Sequence, residues 1–227
     1  MLHKTRGIVL NYIRYRETSI IVKIYTEEFG LQTYVENGVR SARSKGKIAL
    51  FQPLTLVDLV VYFKPGADIQ RISEIRCGHP FYRIPTDIKK MTLGIFVTEI
   101  LVLTLREHTG NSLLFDFLQG ALVFLEEQEE QVENFHLFFL MSLSAYLGFG
   151  PETARDIRMQ LQEHSLAVNA AEEKVLQKIL TAPFGGPLNI GKAERMRALD
   201  LLIDFYRVNL DSFTGARSVQ VLKEVLE

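Results

Sequence analysis

Two hydrophobic periods divide the chain. Up to about residue 80 apolar positions alternate with polar ones, and beyond Thr86 they recur every three or four residues. In SIIVKIYTE, Ile20, Val22 and Ile24 alternate with Ile21, Lys23 and Tyr25, the period of a half-buried strand. LTLVDLVVYF, after Pro53, sets Val57, Leu59, Val61 and Phe63 on one face in the same way. GIVLNYIRYR, ending at a turn at Glu17-Thr18, and LQTYVENGV, opening at Gly30, predict two more strands. The stretch from Lys64 to Asp68, KPGAD, is a strong turn signal. IQRISEIR then predicts a fifth strand, although Ile69, Ile72 and Ile75 are spaced by three rather than two.

Five short strands with no intervening long helix suit a small barrel, because closure removes exposed sheet edges. The five-stranded oligonucleotide/oligosaccharide-binding (OB) barrel is the expected architecture of residues 1–80. Near Pro80 and Pro85 the period changes. Helices are predicted at Asp87–Glu107, Ser112–Glu127, Val132–Leu147, after Pro151, and at Asn169–Leu180, Lys192–Asn209 and Val219–Leu226. Thr86 and Asn111-Ser112 supply N-caps, and Gly110, Gly148 and Gly150 mark helix ends. The expected whole is α+β: an OB-type barrel over residues 1–80, followed by an all-helical domain over residues 81–227.

Charge sharpens that division. Residues 1–80 carry 12 Lys and Arg against 7 Asp and Glu, and the remainder carries 14 against 20. A basic barrel beside an acidic helical part suggests separate tasks for the two. The single cysteine, Cys77, excludes an intramolecular disulfide and a cysteine-built zinc site. A reducing cytoplasm is the expected compartment. The N-terminus has arginines on both sides of a short apolar stretch, unlike a signal peptide. The most apolar segment, from Met91 to Leu105, contains Glu99 and is too short to span a bilayer, so no membrane role is expected.

Few patterns suggest catalysis. Gly186 to Lys192 fits the GxxxxGK half of a phosphate-binding loop, but Ala193 follows where a hydroxyl should hold Mg²⁺. No buried strand precedes it, so an interhelical loop is the better reading. The five histidines, His3, His79, His108, His136 and His164, lack metal-ligand spacing or a neighbouring nucleophile. The sequence gives no positive sign of an enzyme.

The basic half offers more. NGVRSARSKGK, from Asn37 to Lys47, places Arg40, Arg43, Lys45 and Lys47 on a Ser/Gly-rich loop with no acid among them. Arg14, Arg16 and Lys23 come from the first hairpin, and Tyr12, Tyr15, Tyr25 and Tyr34 from the same sheet. If Ile20, Val22 and Ile24 face the core, alternation turns Lys23 and Tyr25 outward, and Tyr34 is expected outside as well. Cations for phosphates and aromatic faces for bases are what sequence-independent nucleic-acid binding requires. An ordinary solvated surface with some Lys and Tyr is the plainer alternative. So is a protein–protein adaptor whose barrel binds a protein or peptide.

The assembled pieces resemble a known family. RGIVLNYIRYRETSIIVKIYTEEFGLQTYVENGVRSARSK, followed by FQPLTLVDL, resembles the start of the bacterial recombination and repair family RecO. YLGFGPE, from Tyr146 to Glu152, resembles that family's Leu-Gly-x-x-Pro stretch, and GARSVQVLKEVL its C-terminal helix. Many members follow Leu-Gly-x-x-Pro with a four-cysteine zinc site; PETARDIRMQLQEHSLAV has no cysteine, so a metal-free branch and no cofactor are expected. The resemblance implies a non-enzymatic mediator that binds single- and double-stranded DNA and anneals complementary strands. It also implies RecR, the C-terminal tail of single-strand DNA-binding protein and, indirectly, RecA as partners, with a cytoplasmic, nucleoid-associated location. Arg40 matches the family's Gly-x-Arg loop position; Arg43, Lys45 and Lys47 rest on charge and loop context.

Overall fold

In the computed structural model, which describes residues 1–41, 44 and 46–226, the alternating segments become five strands. These are β1 (Leu2–Tyr15), β2 (Ser19–Thr26), β3 (Gly30–Glu36), β4 (Leu56–Tyr62) and β5 (Gln70–His79). They form a closed barrel in the order β1-β2-β3-β5-β4, the arrangement of an OB barrel. β1 serves two neighbours: Leu2–Ile8 pairs with β4, and Gly7–Tyr15 pairs with β2. The seam is a short parallel pairing, Tyr34 opposite Gln70 and Val35 opposite Arg71.

Val9, Ile20, Val22, Ile24, Val57, Leu59 and Val61 fill the interior, and Val39 and Phe51 from the β3–β4 connection join them. Three register shifts interrupt the ladders; one, at Gly78, lies at the end of β5, and the other two decide which side chains face the core. On β1 the pairing steps from Val9 to Asn11, leaving Leu10 without a partner on β2. On β5 it steps from Ile72 to Glu74, leaving Ser73 over. The Ser73 bulge explains the spacing by three. With Ser73 as the extra residue, Ile72 and Ile75 both turn inward, opposite Val61 and Leu59.

Seven α-helices follow among the described residues: α1 (Ile88–Thr104), α2 (Ser112–Glu127), α3 (Phe135–Tyr146), α4 (Ala154–Glu163), α5 (Ala170–Thr181), α6 (Lys192–Asn209) and α7 (Ser218–Val225). α1 is shorter than its periodicity predicts, ending at Thr104 rather than Glu107. The chain forms two compact units, Met1–Tyr82 with Leu105–Val123, and Arg83–Thr104 with Phe124–Glu227.

In the first unit, residues 105–123 lie on the barrel. Leu31 donates its backbone N–H to the Glu107 carbonyl at 2.8 Å. Gly30, at φ +64°, permits that approach: a Cβ there would stand 2.5 Å from the carbonyl oxygens of Glu107 and Thr109. Phe115 of α2 stacks on Tyr25 with centroids 6.4 Å apart. Arg6 holds Glu27 through two hydrogen bonds of 2.8 and 2.7 Å, and reaches Asp116 at 2.8 Å and Gln119 at 2.6 Å.

The second unit is built around α3, whose residues Phe135 to Met141 are all buried. His136 lies in that run, 0% exposed, with the ring of Phe96 edge-on at 6.2 Å. Glu99 of α1 ties down the start of α7, accepting from the backbone N–H groups of Arg217 and Ser218 at 2.8 Å each and from the Ser218 hydroxyl. No described helix is long and apolar enough to cross a membrane.

Candidate nucleic-acid interface

The β1–β2 turn and the described part of the β3–β4 loop meet at one rim of the barrel. The backbone N–H of Arg40 donates to the Thr18 carbonyl at 3.0 Å, and its guanidinium Nη1 to the Arg16 carbonyl at 3.4 Å. Arg16 occupies the left-handed region at φ +51°, which bends the turn tightly and sets its guanidinium 5.1 Å from the ring centroid of Tyr15. Arg14 lies opposite Ile20, one pair before the β1–β2 ladder ends, and is exposed. Three of the expected cations, Arg14, Arg16 and Arg40, are therefore gathered by this rim.

The described residues of the loop are tied to one another by side-chain hydrogen bonds. Ser44 Oγ donates to the carbonyls of Val39 and Ser41 at 2.6 and 2.8 Å, and Ser41 Oγ to that of Gly38 at 2.8 Å. Val39 is buried in the barrel core, so it anchors the loop's first turn. Lys47 is exposed only in part and forms an ion pair with Glu36, which is itself buried. Its charge is already matched, so it is a weaker phosphate ligand than Arg40. Arg43 and Lys45 lie outside the described residues.

Lys23 projects from the outer face of β2, between Asn11 of β1 and Thr33 of β3, and is exposed as expected. The two tyrosines expected beside it are corrected. Tyr34 pairs directly with the core residue Val22, so it shares Val22's inward face and is 0% exposed. Directly opposed residues on neighbouring strands point the same way. Tyr25 keeps the outward parity of Lys23, but Phe115 of α2 covers it and leaves 2% exposed. Burial pushes both phenols up, Tyr25 to about 12. Neither ring is available to stack on a base.

What takes their place is a row the sequence does not announce. Ile13, Ile21 and Val35 are cross-strand neighbours on the outer face, and Arg71 of β5 continues the row beyond Val35. Ile13 is 62% exposed and Tyr15 36%. Arg14, Lys23 and Arg71 make no hydrogen bond or ion pair among the described residues. The acids nearest in sequence are Glu17 in the turn, Glu27, which Arg6 holds, Glu28 beside His3, Glu36, which Lys47 neutralises, and Asp68 and Glu74 on either side of Arg71.

The opposite flank of the barrel is electrostatically different. A groove of about 540 Å³ on β1, β4 and β5 sets Lys4, Arg6 and Arg76 against Glu27, Asp58 and Glu74. Arg6 is consumed by its acidic partners, and the hydrogen bond to Arg6 holds Glu27 below its ordinary pKa. That face is balanced, whereas the β1–β2–β3 face has cations to spare. In the second unit, the Gly191 N–H donates to Glu194 at 2.7 Å, so this helix start is closed by its own carboxylate rather than open to phosphate.

Comparison with known proteins agrees with the fold. A family model described as "Recombination protein O N terminal" matches residues 1–81, and one described as "Recombination protein O C terminal" matches residues 85–217. The sequence is 34% identical to the DNA repair protein RecO of Flavobacterium johnsoniae, with 98% of each chain covered. It is 33% identical to that of Bacteroides fragilis over the full length of both, and 32% identical to that of Phocaeicola vulgatus over 99% of each.

Proposed function

The chain belongs to the RecO family of DNA repair proteins, and from that premise we propose a mediator that holds single- and double-stranded DNA on the β1–β2–β3 face of its barrel. It brings complementary strands together there and, with RecR, helps to pass DNA coated by single-strand DNA-binding protein to RecA. The helical unit takes the C-terminal tail of that coating protein. Each step is binding and hand-off, with no covalent bond made or broken.

One observation carries the DNA reading: Lys23 on the outer face and Arg14, Arg16 and Arg40 at the adjoining rim have no acidic side chain paired to any of them, while the opposite groove balances its charges. A surplus of unmatched cations attracts a polyanion chiefly through counterion release. Such contacts reach the sugar-phosphate backbone and do not read bases, so binding is sequence-independent.

The test is fluorescence anisotropy with labelled single-stranded and duplex DNA over a salt series. Each phosphate contact contributes about 0.7 to the slope of log affinity against log salt on a single strand. Replacing Arg14, Arg16, Lys23 and Arg40 with alanine should flatten that slope by about 3 and weaken both forms of DNA. A wild-type protein that binds neither form at low salt would sink this reading in favour of a protein-binding barrel.

A further inference from the structure

The outer face of the barrel carries apolar side chains where a purely phosphate-binding surface needs none. Ile13, 62% exposed, lies two pairs before the β1–β2 ladder ends, with Ile21 and then Val35 directly across from it. Tyr15 stands two residues along on the same side of β1. Single exposed apolar residues are ordinary. A continuous outward-facing apolar row, with Ile13 and Tyr15 exposed and Ile21 and Val35 half-buried, bordered by Arg14 and Arg16 at the rim, Lys23 alongside and Arg71 at its end, is not. We propose that Ile13, Ile21, Val35 and Tyr15 form a platform for unpaired bases, which makes this face favour single strands over duplex. The inference rests on the DNA reading above and adds what that reading lacks, a basis for telling the two forms of DNA apart.

The dimensions fit. Neighbouring strands lie about 4.8 Å apart, so Ile13 to Val35 spans about 10 Å, room for one or two bases laid flat. Lys23 lies two residues from Ile21 along β2, a separation of about 7 Å, which puts a cation beside the platform at backbone distance from a base resting on it. Arg16 holds the Tyr15 ring from one side at 5.1 Å and stands ready for the phosphate next to a base on Tyr15. In a duplex the base faces are stacked on each other and cannot reach a flat apolar row. Duplex therefore gains only the cations, whereas an unpaired strand gains cations and platform together. A protein partner would also fill an apolar row, but the unmatched positive charge around it favours a polyanion.

The chain has no tryptophan, which makes a direct readout available. Ile13→Trp places the sole indole at the centre of the platform. Its fluorescence should be quenched by an unlabelled single-stranded oligonucleotide and change little with blunt duplex of the same sequence. Single-strand affinity should rise severalfold. In the opposite direction, Ile13→Ser with Tyr15→Ser should lower single-strand affinity about tenfold, within the range of one lost base stack. Duplex affinity should stay within about twofold and the salt slope should be unchanged. Lys23→Ala with Arg71→Ala should instead weaken both forms and flatten the slope by between about 1 and 2. Thermal unfolding checks that each variant remains folded. Equal quenching by both forms, or equal losses on both in the serine variant, would overturn the platform while leaving the DNA reading intact. Absence of binding to either form by the wild-type protein would instead remove the premise.

Discussion

Acidification from about pH 7.5 to about pH 5 should destabilise the helical unit by about 2 kcal/mol through His136 alone. The side chain is 0% exposed, and neither ring nitrogen has a hydrogen-bond partner among the described residues. Burial, assisted by the charge of Arg195, lowers its pKa from the ordinary 6.5 to about 3. Between those values the unfolded chain takes up a proton that the folded protein refuses. Stability therefore falls with pH, at about 1.4 kcal/mol per unit, once the pH drops below the unfolded value. About 1.5 units of that slope are traversed by pH 5. Glu99, Glu133 and Glu172 are held below the ordinary carboxylate value of 4.5, so their contribution is lost mainly at lower pH. Replacing His136 with leucine isolates the effect. Urea unfolding followed by circular dichroism at both pH values should show the wild type losing about 2 kcal/mol more than the variant. At neutral pH the variant should be no less stable, since it removes two unpartnered nitrogens from an apolar interior. Equal losses in both proteins would refute the reasoning.

Other perturbations test other joints. Gly30→Ala must adopt a left-handed conformation and push its methyl against two carbonyl oxygens, so it should cost about 2–4 kcal/mol in urea unfolding. Unchanged stability would mean that the segment from Glu107 to Gly110 does not rest there. Arg6→Ala removes four hydrogen bonds at a partly exposed site; solvent screening brings the expected loss to about 1–2 kcal/mol, read from the same experiment. Burial alone would push the Glu99 carboxyl up, but the hydrogen bonds from Ser218 and the Arg217 backbone hold it below its ordinary value. Its stabilisation is thus present above pH 4.5 and lost as pH falls further. Glu99→Gln should speed amide hydrogen exchange in α7 several-fold at neutral pH, and unaltered protection would count against that tie.

The barrel was legible because two-residue alternation survives in β2 and β4, where Ile20, Val22, Ile24, Val57, Leu59 and Val61 all reach the core. β5 was harder to read because a bulge at Ser73 replaces alternation with a spacing of three, a feature set by the partner strand rather than by local pattern. Tyr34 shows the same limit: only its register against Val22 fixes which way it faces. Tyr25 failed for a different reason. Its parity is as alternation predicts, but a helix nearly ninety residues away in the sequence supplies Phe115 as its cover. Charge marked Arg14, Arg16, Lys23 and Arg40, whereas Arg71 and Ile13 become conspicuous only when four strands are laid side by side.

The unpaired Leu10 gives β1 something like a change of reading frame. Upstream of it, Val9 points inward with Ile24; downstream, Asn11 and Ile13 point outward while Tyr12 joins the core. Had the ladder continued unbroken, inside and outside would be exchanged from residue 10 to the end of the strand, burying Ile13 and Tyr15 and expelling Tyr12. The identity of the outer face thus hangs on one supernumerary residue. Itself buried and without a partner on β2, it decides what both faces display.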